Sequence, residues 1–317
     1  MARDADGSTG IPQTMGALRV HAPGGVPGLG LDEVATPTAR AGEAIVRVYA
    51  AAITRDELEW PVDRLPAIPS YEVSGVVAAV ALDVEAVAVG DEVFALTPFD
   101  RDGGAADYAV APASVLAAKP GKLDHVESAA VPLAALSAWQ GLFDHGRLRV
   151  GQRVLIHGAA GGVGHFATQL ARWRGAHVIA TASGEGVGIA LELGAHEVFD
   201  RSADLTTELG LVDLVFDTAG GESLERSPAL VRDGGKLVSI AEEPPSSGGR
   251  IATTYFVVEP SREQLSEIAG LLDAGVLEPM VDSVYPLEDG PAAFDRSLQP
   301  GKRGKVVLRV TDRTAIP

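Results

Sequence analysis

The sequence contains no cysteine and has few basic residues. Without cysteine, the chain cannot form a disulfide, use a thiolate nucleophile or bind zinc through cysteine. Its 26 Lys and Arg residues stand against 43 Asp and Glu residues, and the formal net charge is −17. This excess of negative charge argues against nucleic acid or an anionic membrane surface as a partner.

Long apolar runs are also missing. No stretch reaches the roughly 18 apolar residues that a membrane-spanning helix needs, and the opening segment MARDADGSTGIPQT is too polar for a signal peptide. We predict a cytoplasmic protein in which residues 1–14 form a disordered extension before Met15. A length of 317 residues is typical of two domains rather than one.

The chain up to Pro120 has the pattern of a β-rich domain. Runs rich in Val and Ile, including 43–53 and 72–81, are bounded by Gly, Pro and Asp. Glycine recurs between these runs, as in a small barrel with tight corners. The pattern predicts a β-barrel domain.

From Arg153 onward, strand-like and helix-like runs alternate. RVLIHGA is followed by GHFATQLARWRG, and AHVIATA is followed by EGVGIALELG. Alternation at this spacing predicts a parallel sheet with right-handed crossovers. We therefore expect an α/β fold class, in which a doubly wound parallel sheet accompanies the β-barrel.

A glycine-rich turn, HGAAGGVGHF, separates the first of these strands from its helix. Ala159, Gly161 and Gly164 occupy the marked positions of the dinucleotide fingerprint G-x-G-x-x-G, with Ala in place of the first Gly. In such a turn the backbone approaches a pyrophosphate, and the helix N-terminus supplies N–H groups and partial positive charge. The alternative is a turn that only tightens the fold. The residues predicted to bind the cofactor here are Ala160, Gly161, Gly162, Val163 and Gly164.

The end of the second strand bears on the choice between NAD and NADP. An NAD site usually has an acidic residue there, about 20 residues beyond the glycines, whereas this chain has ATAS at 180–183. A carboxylate would repel a 2′-phosphate. Its absence, with Ser183 as a donor and Arg201 ending the neighbouring strand, favours NADPH. The alternative for Arg201 is a solvated charge at a strand end.

The segments AAGGVGHFATQLA, GAHEVFDR, GDEVFAL and GKVVL together resemble the medium-chain dehydrogenase/reductase superfamily. More narrowly, they resemble the zinc-free quinone oxidoreductases related to zeta-crystallin. The resemblance implies a GroES-like β-barrel domain at 15–124 and 257–317 and an inserted Rossmann domain at 125–256. It also implies NADPH in the cleft between them and a homodimer, to which the apolar strand at 250–258 could contribute.

Zinc-dependent members of the superfamily have a Cys near AAITRDE and a Gly-His-Glu near SYE. This chain has Thr54 at the first place and Ser70, Tyr71 and Glu72 at the second. We therefore expect neither zinc site, and hydride transfer without a metal suits an acceptor that is already electrophilic.

The resemblance also implies a set of residues that line the cofactor. Two departures from the family pattern concern this set: Thr54 stands where many members have Asn, and Gly186 stands where many NADPH-dependent members have Lys. The implied lining residues are Ser137, Thr218, Ala219, Ile240, Ala241, Phe256, Val257 and Lys305.

The developing negative charge on the acceptor needs hydrogen-bond donors and a proton. We predict that Thr54, Arg55 and Tyr71 supply them, with the Trp60 indole as a further donor. Tyr71 could instead be a barrel tyrosine whose hydroxyl is already bonded, and solvent could supply the proton. His157 is expected to be a packing residue.

These observations predict an NADPH-dependent, zinc-independent oxidoreductase that transfers hydride to a quinone or an α,β-unsaturated carbonyl. One alternative is an enoyl-thioester reductase of fatty-acid or polyketide assembly. Another is a sensor that binds NADPH without turnover. The sequence does not define the substrate, because pocket loops carry no fixed code for a ligand.

Overall fold

The computed structural model describes residues 10–60 and 63–311, and its contacts divide the chain into two units. Unit 1 runs through Leu133 and includes Pro260–Asp273 and the described chain from Val281. Unit 2 comprises Ala134–Glu259 and Ala274–Met280. Within the described residues, no helix is both long and apolar enough to cross a membrane.

The secondary structure elements follow in chain order. The strands are β1 (Thr14–Val20), β2 (Leu29–Ala35), β3 (Glu43–Ile53), β4 (Glu72–Val80), β5 (Glu92–Leu96), β6 (Tyr108–Pro112), β7 (Ala117–Ala118), β8 (Arg153–His157), β9 (His177–Ala182), β10 (Glu197–Asp200), β11 (Val212–Asp217), β12 (Val231–Ser239), β13 (Ala252–Tyr255), β14 (Val281–Pro286) and β15 (Lys305–Arg309). The α-helices are α1 (His125–Ala129), α2 (Pro132–Trp139), α3 (Gly164–Trp173), α4 (Gly186–Glu192), α5 (Leu205–Glu208), α6 (Gly221–Arg226), α7 (Arg262–Asp273) and α8 (Gly290–Leu298).

Unit 1 is built on a seven-stranded sheet with the order β14-β15-β3-β4-β5-β7, in which β6 also pairs with β3. A two-stranded sheet of β1 and β2 accompanies it. Most pairs are antiparallel, and only β14 and β15 pair in parallel. The predicted β-barrel domain of the GroES-like type is confirmed.

The central strand β3 is buried along almost its whole length, which explains its continuous run of Val, Ile and Ala. At a register shift between β3 and β4, a Cβ on Gly75 would lie 2.1 Å from the carbonyl oxygen of Arg47. Glycine is therefore required for the close approach of these two strands.

Unit 2 contains a six-stranded sheet with the order β10-β9-β8-β11-β12-β13, and all its strand pairs are parallel. This is the doubly wound order, and it reverses between β8 and β11. Leu155, Ile179, Val215 and Leu237 form part of its buried core. The predicted doubly wound sheet is confirmed.

The units defined by contacts change at Leu133/Ala134 and at Glu259/Pro260, and the expected division at 125 and 257 stays a prediction. Helix α1 belongs to unit 1 because Ala129 packs against Ala50 and Ala52 of β3. The segment Ala274–Met280, which follows α7, belongs to unit 2. There the Gln169 side chain forms two hydrogen bonds, of 2.9 and 3.1 Å, with the backbone of Glu278.

The expected extension at 1–14 falls partly outside the described residues, which begin at residue 10. Its described end is ordered. Thr14 pairs with Ala35 in the first sheet, and the Thr36 N–H donates to the Gln13 carbonyl at 2.9 Å. The ordered strand therefore begins before Met15.

Gly75→Ala tests the close approach of β3 and β4. We expect the substitution to lower the free energy of unfolding by about 1–3 kcal/mol, because the added methyl overlaps backbone that cannot easily move. Urea unfolding followed by circular dichroism measures this. Gly270→Ala in α7 is the control: apart from its chain neighbours and the backbone of its own helix, no described atom lies within 4 Å of the added Cβ, and about 0.5–1 kcal/mol of stabilisation is expected there. Equal stability of Gly75→Ala and the unmodified protein would contradict the assigned register.

Candidate functional site

The glycine-rich turn connects β8 to α3 in unit 2. A Cβ on Gly164 would lie 2.0 Å from the Gly158 carbonyl oxygen, so only glycine lets α3 begin this close to the end of β8. The Gly161 N–H donates to the same carbonyl at 2.9 Å and closes the turn. Among the described residues, no side chain caps the N-terminus of α3 at Val163. The His165 N–H in the first turn donates to the Gly161 carbonyl at 3.1 Å, and an anion here would bind at the N–H groups that precede it.

The loop after β11 lies beside this turn, where the strand order reverses. The Thr218 hydroxyl donates to the His157 carbonyl at 2.7 Å and ties the ends of β11 and β8 together. Gly158 has a φ of 76° and leaves room for that hydroxyl, which would lie 2.8 Å from a Cβ. A ligand crevice is characteristic of this reversal point in doubly wound sheets.

Asp217, the last residue of β11, organises the neighbouring loops. Its carboxyl group is fully buried and accepts hydrogen bonds from the Gly220 N–H at 3.0 Å and from the Ser239 hydroxyl at 3.0 Å. The Ser239 oxygen in turn accepts from the N–H groups of Ala241 and Glu242. Burial raises the pKa of Asp217, and these hydrogen bonds oppose that rise.

His157 is buried at the end of β8 between two hydroxyl groups. Its Nδ1 lies 3.0 Å from Thr181 Oγ1, and its Nε2 lies 3.0 Å from Ser227 Oγ. Because the Ser227 hydroxyl donates to the Ser223 carbonyl at 2.6 Å, the imidazole must donate to it through Nε2. Burial lowers the pKa of His157 to about 4. The ring is neutral at pH 7 and has a packing role.

Ser183 and Arg201 come together at the edge of the sheet. In the register of β9 and β10, Ala182 pairs with Asp200. Ser183 and Arg201 are therefore the first residues beyond the ends of these two strands. The Arg201 N–H donates to the Ala182 carbonyl at 3.0 Å, and both side chains are exposed. Arg201 also lines a small pocket that contains Arg226.

Unit 1 holds a buried charged cluster at the ends of β3, β4 and β15. The ammonium of Lys305 forms an ion pair with Glu72, and their side chains are 6% and 1% exposed. Lys305 Nζ also donates to Thr54 Oγ1 at 3.0 Å, and Thr54 donates to Glu72 Oε1 at 3.3 Å. The other carboxylate oxygen accepts from the Leu133 N–H at 2.8 Å.

This arrangement defines what the Thr54 hydroxyl can do. An ammonium only donates and a carboxylate only accepts, so Thr54 accepts from Lys305 and donates to Glu72. One oxygen lone pair remains for a ligand. The hydrogen bond from the Thr54 hydroxyl to Glu72 is long. To donate to an acceptor instead, the hydroxyl must rotate away from Glu72.

Two family models match the chain. A model described as "Alcohol dehydrogenase GroES-like domain" matches residues 40–121, and one described as "Zinc-binding dehydrogenase" matches residues 193–308. A probable zinc-binding oxidoreductase of Arthroderma benhamiae, named mitochondrial, is 32% identical over 95% of this chain and 98% of its own. The quinone oxidoreductase of Mus musculus is 31% identical over 93% of this chain and 97% of its own. The chain belongs to the medium-chain dehydrogenase/reductase superfamily.

Further similarities agree with this membership. The structure of the quinone oxidoreductase from Coxiella burnetii matches with a TM-score of 0.86 at 27% identity, covering 94% of this chain and all of that one. The polyketide synthase protein NorB of Streptomyces orinoci is 36% identical over 75% of this chain, which spans 12% of that protein. This superfamily member is an oxidoreductase, and its family uses nicotinamide cofactors.

The zinc-binding descriptions of these relatives raise the question of whether this member fits zinc. It has no cysteine. Across residues 10–60 and 63–311, no group of three or more His, Asp or Glu side chains could hold a metal ion. By the family resemblance, Thr54 stands at the position of the ligand Cys and Tyr71 at that of the His, and the Lys305 ammonium already neutralises Glu72. The residues present do not fit zinc.

A nicotinamide dinucleotide does fit unit 2 of this superfamily member. Gly164 lets α3 begin against the end of β8, and the N-terminus of α3, which has no side-chain cap among the described residues, suits a pyrophosphate. The remaining residues expected to line the cofactor, apart from Lys305, also lie in unit 2. Ser137 is buried on α2, Ala219 follows β11, Ile240 and Ala241 follow β12, and Phe256 and Val257 follow β13. Phe256 packs on His145 with ring centroids 4.4 Å apart, whereas Val257 is 63% exposed.

The three residues predicted to serve the acceptor have different environments in the structure. Thr54 belongs to the buried cluster, and Arg55 beside it is exposed. Tyr71 is fully buried, and its hydroxyl accepts from Arg64 at 2.9 Å. Burial raises the pKa of Tyr71 to about 12. Tyr71 thus has the environment of a core tyrosine with a bonded hydroxyl, and we do not retain it as a proton donor.

Trp60 packs beside Tyr71, with ring centroids 5.7 Å apart. Arg64 also donates to the Arg101 carbonyl at 3.1 Å, so its guanidinium serves the local loops as well as the tyrosine. The sequence does not predict this partner, because no spacing rule relates Arg64 to Tyr71. The roles of Asp217 and of Glu72 are likewise visible only in the structure.

Because Lys305 is the ion-pair partner of Glu72, removal of the ammonium alone should strongly lower the stability of the folded chain. Lys305→Met should lower the free energy of unfolding by about 3–5 kcal/mol, because Glu72 is left as a buried carboxylate without a cation. Lys305→Met/Glu72→Gln should recover a large part of this loss, because the amide oxygen can still accept from the Leu133 N–H. Urea unfolding measures both variants. A double variant no more stable than Lys305→Met would show that the ion pair is not the source of the loss.

Proposed function

We propose that this protein is an NADPH-dependent, zinc-independent reductase of quinones or α,β-unsaturated carbonyls. The observation that carries the proposal is the buried Lys305–Thr54–Glu72 cluster, to which the family resemblance assigns the metal position and which offers an ammonium, with no metal ligand set among the described residues. The dinucleotide-binding edge of unit 2 and the similarity to quinone oxidoreductases support it.

In this proposal, unit 2 binds the cofactor through its strand ends. The N–H groups at the start of α3 hold the pyrophosphate, and Gly161 and Gly162 let the backbone approach it. Ser183 and Arg201 hold the 2′-phosphate, since β9 itself ends at Ala182 and is followed by Ser183 and not by a carboxylate that would repel it. When bound, the nicotinamide supplies a hydride.

Unit 1 then stabilises the charge that develops on the acceptor. Quinones and activated enones are electrophilic without a Lewis acid, so a fixed positive charge and a hydroxyl suffice to stabilise the developing oxyanion. Lys305 is buried, so its attraction for a developing oxyanion is screened little by water, although it shares its charge with Glu72. Thr54, which is half-buried, is the member of the cluster that reaches toward the surface.

A second candidate is an enoyl-thioester reductase, and the 36% identity to the polyketide synthase protein NorB favours it. The chemistry is the same, because a thioester-activated double bond also accepts a hydride at carbon. The two candidates differ in the group that activates the double bond and in the surface that would bind a carrier.

The first experiment follows the absorbance of NADPH, and separately of NADH, with three acceptors. A small quinone, an enone ester and an enoyl thioester of a short pantetheine analogue are compared. We expect oxidation of NADPH by the quinone or the enone, with NADH much slower. Preference for the thioester would favour the second candidate, and binding of NADPH without turnover would favour a sensor.

Arg201→Gln tests the cofactor preference. We expect the KM for NADPH to rise about tenfold or more, because a charge-assisted hydrogen bond to a phosphate contributes about 1.5–3 kcal/mol, with the KM for NADH unchanged. Arg174→Gln, an exposed residue that follows the C-terminal end of α3, is the charge-matched control and should leave both constants unchanged. If Arg201→Gln raises the KM for NADPH and the KM for NADH equally, Arg201 does not hold a phosphate.

A further inference from the structure

Three aromatic side chains form a cluster on the surface of unit 2. Trp139 ends α2, and Phe143 lies on the π-helical turn Gln140–His145 that continues it, with their ring centroids 5.1 Å apart. The Trp173 ring lies 6.2 Å from Trp139 and 6.3 Å from Phe143. Trp173 is 43% exposed, although tryptophan is well buried on average in soluble proteins. This cluster is therefore an apolar surface that water still reaches.

The cluster lies at the amino edge of the parallel sheet. Trp173 is the last residue of α3, and β9 begins shortly after it at His177. The Gly151 N–H donates to the Gly175 carbonyl at 2.9 Å, which places the segment before β8 beside this turn. Ligands of doubly wound sheets bind outside the opposite, carboxyl ends of the strands. A partner bound at the cluster would therefore leave the cofactor edge open.

Exposed arginines accompany the aromatic rings. Arg174 follows the end of α3, and its guanidinium carbon lies 5.7 Å from the centroid of the Phe143 ring. Arg147 and Arg149 come directly after the π-helical turn, and Val150 beside them is 75% exposed. We call this the aromatic–arginine surface. Its members are Trp139, Phe143, Trp173, Arg147, Arg149 and Arg174.

The positive charge of this surface is not neutralised within the chain. Across residues 10–60 and 63–311, no carboxylate forms an ion pair with Arg147, Arg149 or Arg174, whereas Arg232 of the same unit pairs with Asp213 at 2.6 Å. The contrast is informative because acidic residues outnumber basic ones by 43 to 26. A concentration of unpaired cations in an acidic chain favours an acidic partner.

The backbone at Arg147 gives a second, independent indication. Its φ is 55°, in the left-handed region where glycine is relaxed and a residue with a Cβ is strained. The chain thus places a long cationic side chain at a position where glycine would be more stable. Strain of this kind is characteristic of positions at which the side chain has a use.

We propose that the aromatic–arginine surface binds another protein through an acidic segment that carries an apolar side chain. Tryptophan and arginine are enriched among the residues that dominate the binding energy of protein interfaces. The exposed face of Trp173 receives the apolar side chain, and Arg147 and Arg149 pair with the carboxylates beside it. This interaction does not depend on the proposed reductase function.

Two other occupants fit less well. A nucleic acid also stacks on aromatic rings, but its phosphates would continue past these arginines onto a chain whose net charge is −17. A second copy offers Leu82, which is fully exposed and is followed by Asp83 and Glu85. Such a head-to-tail contact leaves the same surface free on the next copy and builds open chains, which the net charge opposes.

The test uses the full chain without cofactor and a synthetic peptide in which glutamates flank leucines. Fluorescence anisotropy of the fluorescein-labelled peptide should report binding at low salt that weakens as salt is added. The same peptide with glutamine in place of glutamate should not bind. With the unlabelled peptide, the tryptophan emission of the protein should shift to the blue as Trp173 loses water, and Trp173→Phe should reduce this shift.

Arg147→Gly separates binding from stability. It removes one charge and relieves the left-handed backbone, so the urea midpoint should rise, while the Kd for the peptide rises about fivefold, as for one exposed ion pair. Trp173→Ala should raise the Kd about tenfold or more, as for a central aromatic residue of an interface. Arg309→Gln, an exposed arginine at the end of β15 in unit 1, is the matched control and should leave the Kd unchanged.

The remaining outcomes would overturn the proposal. These are no binding at low salt, equal binding of the glutamine peptide, or equal weakening by Arg147→Gly and Arg309→Gln. Tighter binding of a single-stranded oligothymidylate than of the peptide would assign the surface to nucleic acid. Self-association in sedimentation that is lost in both Leu82→Ser and Arg149→Gln would assign it to a second copy.

Discussion

The ion pair between Lys305 and Glu72 is the interaction on which the candidate site in unit 1 depends. Both groups lose almost all contact with water, and such a pair is favourable only when every remaining donor and acceptor is bonded. Thr54 and the Leu133 backbone complete these bonds. The pair thereby connects the last strand with the start of β4, aligns the end of β3 and determines the direction of the Thr54 hydroxyl.

In unit 2, hydrogen-bond donors rather than an ammonium stabilise a buried carboxyl group. Asp217 accepts hydrogen bonds from backbone N–H groups and from Ser239. These bonds shape the loops that follow β11 and β12, and the backbone around Gly164 shapes the turn that follows β8. The carboxyl edge of the sheet is therefore arranged by contacts within the chain before any ligand binds, which lowers the entropic cost of binding one.

Local patterns explain how much of this structure the sequence could predict. The turn around Gly164 and the alternation of strand and helix are short-range signals, so the doubly wound sheet, its glycine loop and the neighbouring positions of Ser183 and Arg201 were accessible. The buried cluster of unit 1 was not, because 251 positions separate Lys305 from Thr54. Strand β14 was also missed: its residues are partly exposed throughout, so the sequence shows no alternation of apolar and polar residues.

An ammonium at the position that the family resemblance gives to a metal changes what a site in this superfamily can do. A bound metal ion stabilises negative charge but carries no proton of its own, whereas an ammonium stabilises charge and can also exchange protons. In this chain the ammonium of Lys305 is paired with Glu72, and the carboxyl group of Glu57 is buried in the same part of unit 1. A second carboxylate there would leave a net negative charge in the interior, and burial raises the pKa of Glu57 to about 8. The ion pair and the raised pKa of Glu57 are therefore two consequences of one packing arrangement.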